Sequence, residues 1–90
     1  MKLTWTHTTD KKIYTAQGAS GIIYTITELE GGGGGRLNAA TISGQPVPVR
    51  NKTSRLDLVV CTREFDNAVD SLMFHAQLTE NRNLKEVINS

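Results

Sequence analysis

The chain has 90 residues, 38% of them hydrophobic and 21% charged, with a formal net charge of +1. That length holds one small domain, the ordinary composition argues against wholesale disorder, and so small a charge does not by itself announce a nucleic-acid binder. The single cysteine, Cys61, excludes an internal disulfide framework and suits a reducing, cytoplasmic compartment. No apolar run approaches the ~18 residues of a membrane-spanning helix, and the first twelve residues lack the apolar centre of a leader.

In chain order, Lys2 to His7 alternates, with Leu3, Trp5 and His7 on one side and Lys2, Thr4 and Thr6 on the other. Period two with Thr and Trp predicts a half-buried strand. Lys12 to Ala16 predicts a second, with Tyr14 and Ala16 inward. The segment Gln17 to Gly21 places two glycines around small residues, a tight hairpin connection. Ile22 to Thr27 gives the clearest strand, with Ile22, Tyr24 and Ile26 facing one way. Trp5, Tyr14 and Tyr24 are expected to share a core cluster on one face.

Five consecutive glycines follow, Gly31 to Gly35. A phosphate loop needs a Gly-Lys-Ser/Thr ending and a helix whose N-terminus faces the phosphates. Here Arg36-Leu37-Asn38 and strand-like sequence come next, so the run reads as a mobile connection between antiparallel strands. Arg36 to Ser43 predicts a weaker strand. Pro46 and Pro48 keep residues 44–49 out of any central strand, because each removes a ladder donor. Arg55 to Cys61 predicts a strand with Leu56, Leu58 and Val60 on one face.

The period changes after Phe65. Asn67 is a plausible N-cap, and Ala68, Val69, Leu72, Met73 and Ala76 recur at helical spacing over about 68 to 80. Asn83 to Glu86 repeats a capping pattern and opens a possible short second helix or an apolar tail of Leu84, Val87 and Ile88. The sum is an α+β domain over residues 1–90: an antiparallel four- to five-stranded meander with one C-terminal helix packed on one face.

Catalytic and metal chemistry find little purchase. His7, His75 and Cys61 fall at no ligand spacing, so no metal or cofactor is expected. His75 reads as a boundary residue beside the helical stripe, and Cys61 as a small core residue. Glu28 and Glu30 flank the glycines as solvated carboxylates. The better candidate is charge. Arg36, Arg50, Lys52, Arg55 and Arg63 face a single acid, Asp57, within residues 36–63. They form a candidate binding patch, able to grip phosphates in a salt-dependent manner or to dock on protein.

Trp5, then Tyr14-x-Ala16, Gly21-Ile22-x-Tyr24-x-Ile26, a late strand leading into Phe65-Asp66 and a helix ending near an acid or histidine, here His75, resemble a pattern found in small accessory proteins of phages and mobile elements. The match spreads over about residues 3 to 76 and implies architecture first. It also implies a setting, since some such proteins inhibit bacterial defence, anti-CRISPR proteins among them. The strand-strand-strand-helix order is similar as well to AP2-type and integrase arm-binding domains, which lay a sheet in the DNA major groove. Where those domains carry outward Arg and Trp, this chain has threonines.

The expectation is a non-enzymatic binding protein in the cytoplasm, acting on a host protein complex. A DNA- or RNA-binding domain using the basic 36–63 segment is the alternative. No membrane partner is expected, and the apolar tail leaves a homodimer open.

Overall fold

Alternation in the third strand sets the centre of the fold. In the computed structural model, which describes residues 2–8, 12–29, 34–50, 56–62 and 68–89, three strands run in meander: β1 (Thr6–Thr8), β2 (Ile13–Gln17) and β3 (Ile22–Glu28). Next come β4 (Gly35–Thr41), β5 (Val49–Arg50), β6 (Leu56–Asp57), β7 (Val59–Thr62) and one helix, α1 (Ala68–Asn89). The main sheet is antiparallel, in the order β1-β2-β3-β4-β7, and β5 and β6 form a separate two-stranded hairpin between β4 and β7. This is the α+β architecture that the sequence predicts.

Register decides which residues meet the helix. Ala16, Tyr24 and Ala39 lie in one cross-strand row, and Ile26, Leu37 and Val60 in another. All six are buried, and with Leu3, Ile22, Val49, Leu72 and Ala76 they form the core against α1. Trp5 and Tyr14 pack against this cluster around buried Tyr24, as their spacing suggests. The opposite face carries Thr6, Thr15, Thr25, Asn38 and Val59 in one row, and Thr8, Ile13, Thr27, Arg36 and Cys61 in the next.

Several expectations shift. The first strand is shorter than its alternation suggests, since residues 2–5 are not strand. The backbone amide of Leu3 instead donates to Gln77 Oε1 of α1 at 2.7 Å. The last glycine of the run already belongs to β4: Gly35 pairs with Glu28 and lies beneath Leu72. Residues 30–33 lie outside the described set.

The strand expected over 55–61 is broken by a bend at Leu58. Leu56 pairs with Arg50 in the small hairpin, while Val60 pairs with Leu37 in the main sheet. Because one stretch serves two sheets, its alternation does not define one buried face, and Leu56 and Leu58 are more than half exposed while Val60 is buried. Cys61, expected in the core, is exposed, because its partner Arg36 sits on the uncovered face.

The helical segment is continuous. Asn83 starts no second helix; its side-chain amide donates to Thr79 O at 2.8 Å inside α1. Asn67 and Phe65 lie outside the described residues.

Candidate functional site

The helix has two differently used sides. On the inner side, Leu72, Ala76 and Glu80 recur every four residues, and all are buried. Glu80 is 1% exposed. Its Oε1 accepts from Ser20 Oγ at 2.5 Å and Tyr24 OH at 3.0 Å, and its Oε2 accepts from the Ser20 backbone amide at 3.1 Å. The turn that presents Ser20 is closed by Gly18 N to Ile22 O at 2.8 Å and Gly21 N to Gly18 O at 3.1 Å, with Gly21 at φ +87°. Glu80 therefore ties the β2–β3 turn to the helix. Burial, and secondly the hydrogen bond to Glu80, push the Tyr24 hydroxyl well above the ordinary tyrosine value.

A second carboxylate is held at the far end of the sheet. Tyr14 OH donates to Glu28 Oε1 at 2.7 Å, and the His7 ring stacks on Tyr14 with centroids 4.0 Å apart. The bond to Glu28 is the main reason the Tyr14 hydroxyl is raised. His75 is buried rather than at a boundary, at 7% exposure. Among the described residues, no group of three or more His, Cys, Asp or Glu is placed to hold a metal ion, and no helix is long and apolar enough to cross a membrane.

The outer side of α1 is apolar in part. Phe74 is 63% exposed and Leu78, one turn on, 43%. Phe74 borders a groove of about 540 Å³ between α1 and the N-terminal segment, lined also by Lys2, Leu3, Trp5, Met73, Gln77 and Asn81. The Leu3–Gln77 bond fixes the N-terminal wall of this groove.

Of the basic residues singled out by the sequence, Arg36 lies on the uncovered sheet face, beside Cys61 and Thr27. Arg50 lies on the helix side, where it lines a cleft of about 170 Å³ with Val47, Pro48, Leu56, Thr79, Arg82 and Asn83. The two arginines are thus not brought together. Lys52, Arg55 and Arg63 lie outside the described residues. Arg82 joins Arg50 at the cleft, and reading the basic residues only from 36 to 63 misses it; helix–hairpin packing is a long-range contact with no local signature. Glu80 was legible in principle, as an acid in the i+4 track of an apolar stripe.

Compared with protein-family models, with curated proteins and with solved structures, the chain matches none.

Proposed function

We propose that the chain is a non-catalytic binding protein that docks on another protein through the groove beside Phe74. One observation carries the reading: Trp5, Met73 and Phe74 gather at one groove, and Phe74 stands mostly in solvent. Aromatic and methionine side chains are enriched where interfaces bury their anchors. Phe74 meets the His75 ring edge-on, with centroids 6.3 Å apart, but most of it stands in water, and it and Leu78 one turn on would gain from being covered. The carboxylates fit the same reading, since Glu80 and Glu28 accept hydrogen bonds from neighbouring side chains and act as ties within the fold. The resemblance to small phage and mobile-element proteins supplies the setting: the partner is a host protein complex, which binding inhibits or modulates.

The test is capture from bacterial lysate on immobilised chain, with Phe74→Glu and Leu78→Glu compared against Arg36→Ala. Both helix positions are exposed, so circular dichroism should stay at the wild-type spectrum. The expected result is a protein retained by wild type and Arg36→Ala but reduced at least about tenfold by Phe74→Glu, a loss of ~1.4 kcal/mol. Retention that ignores both glutamate variants sinks the groove as the contact.

A further inference from the structure

The second cavity suggests what kind of chemistry the partner brings. We propose that the cleft between the β5–β6 hairpin and the C-terminal half of α1 receives a carboxylate from an acidic, partly apolar peptide segment of that partner; this rests on the protein-binding function proposed above.

Arg50 and Arg82, both exposed, border the cleft from the hairpin and from the helix. The Arg50 guanidinium presents a forked donor that matches a carboxylate in two parallel bonds, and Arg82, which has a partner of its own, adds positive charge. Val47, Pro48 and Leu56 supply an apolar wall beside them, and Leu56 is 56% exposed. The polar floor does not compete for the anion. Thr79 gives its hydroxyl proton to His75 O at 2.9 Å, and Asn83 gives an amide proton to Thr79 O at 2.8 Å.

Size and charge narrow the ligand. A cleft of about 170 Å³ is smaller than the ~300 Å³ at which cofactor-sized sites begin, so it takes one functional group and its neighbour. A nucleic-acid backbone asks for a track of cations. Arg36 lies on the opposite face of the sheet and cannot extend this one. The acids of these elements are Asp57 on β6 and Asp70, Glu80 and Glu86 on α1; Asp70 lies in the first turn of the helix, and Glu80 is turned to Ser20 and Tyr24. Against them stand Arg50, Arg82 and Lys85.

The experiment is an amide NMR titration of the full chain at about 50 mM salt, where electrostatic contacts are strongest. Four probes are compared: acetyl-Leu-Glu-Leu-Glu-amide, its Gln twin, inorganic phosphate and an eight-residue thymidine oligonucleotide. The expected result is saturable shifts at 47, 49, 50, 56 and 79–83 with the acidic peptide, at least about tenfold weaker with the Gln twin. Arg50→Lys, which keeps the charge but loses the fork, should weaken the acidic peptide by about tenfold. Equal binding of the Gln twin, shifts confined to other residues, phosphate matching the peptide, or tighter binding of the oligonucleotide would each overturn the proposal.

Failure here is separable from failure of the function it rests on. A lysate partner lost with Phe74→Glu but kept at full strength with Arg50→Ala leaves the groove standing and removes the cleft.

Discussion

Replacing Glu80 with alanine tests whether the buried carboxylate holds the β2–β3 turn to the helix. Three donors lose their acceptor: the Ser20 amide, the Ser20 hydroxyl and Tyr24 OH. They do not weigh equally. Ser20 is half-buried and can turn to water, whereas Tyr24 is fully buried. An orphaned buried hydroxyl costs ~1–3 kcal/mol. The lost net hydrogen bonding of Ser20 adds roughly 1 kcal/mol, and the space left by the carboxylate about 1 more. Part of this is returned, because the alanine variant no longer buries a polar group at this position. The expected loss is therefore ~3 kcal/mol, against a total stability of about 5–13 kcal/mol for a domain of this size.

The assay is urea unfolding, followed by helix circular dichroism and by fluorescence of Trp5, the chain's one tryptophan. In thermal melts the same loss should lower Tm by at least about 12 °C. Glu80→Gln, which keeps one acceptor oxygen, should lose ~1–2 kcal/mol. A Tyr24→Phe/Glu80→Ala cycle should show coupling of about 1 kcal/mol or more, because the two groups share one bond. If Glu80→Ala stays within about 1 kcal/mol of wild type, or the cycle is additive, the carboxylate is not the tie described.

Three further outcomes follow from the same geometry. Gly18→Ala places a Cβ against the Glu80 carboxylate, so it should lose ~1–3 kcal/mol, and less when Glu80 is already alanine. For alkaline pH the sign is fixed by tyrosines whose folded values are raised. Their contribution is intact below the ordinary value of 10.0 and is lost as the pH rises above it, because the unfolded chain ionises first. Wild type should therefore lose stability above that pH in urea titrations, and Tyr24→Phe should flatten the slope. Finally, Val60→Ala should cost ~1–3 kcal/mol while Leu58→Ala stays within about 0.5 kcal/mol; equal costs would restore the single buried face that alternation suggests.

What the sequence made legible follows from the range of each interaction. Ile22, Tyr24 and Ile26 show their buried face through alternation, since strand geometry forces it. The helical stripe of Val69, Leu72, Met73 and Ala76 is equally local. Leu56 and Leu58 misled because the same alternation is read by two partners, β5 and β4, and pairing partners are not written in the strand itself; Cys61 misled by residue type, since alternation alone puts it on the face opposite Val60. Arg50 was found as a charge, but its meeting with Arg82 depends on how the hairpin lies on α1, a contact across more than thirty residues of chain. Glu80 shows locally only as an acid in the helical stripe; its partners Ser20 and Tyr24 lie some sixty residues away in the chain.

The helix carries the functional argument because its two sides answer to different demands. The inward positions have reasons in the fold: apolar contacts at Leu72 and Ala76, a hydroxyl bonded to the His75 carbonyl at Thr79, and a carboxylate with its donors in place at Glu80. Phe74 has an edge contact with the His75 ring, yet it and Leu78 leave 63% and 43% of their surface exposed. A helix that only had to cover the sheet would lose little with polar residues at 74 and 78, and would gain solubility. The same holds for Leu56, which leaves more than half its surface beside Arg50. Both surfaces thus combine unused apolar area with nearby polar or cationic groups, and each sits on the helix side of the sheet. The threonine rows of the opposite face carry a single charged residue, Arg36, among their paired positions. A partner approaching from the helix side meets anchors and charge together, so binding is expected there rather than on the uncovered sheet.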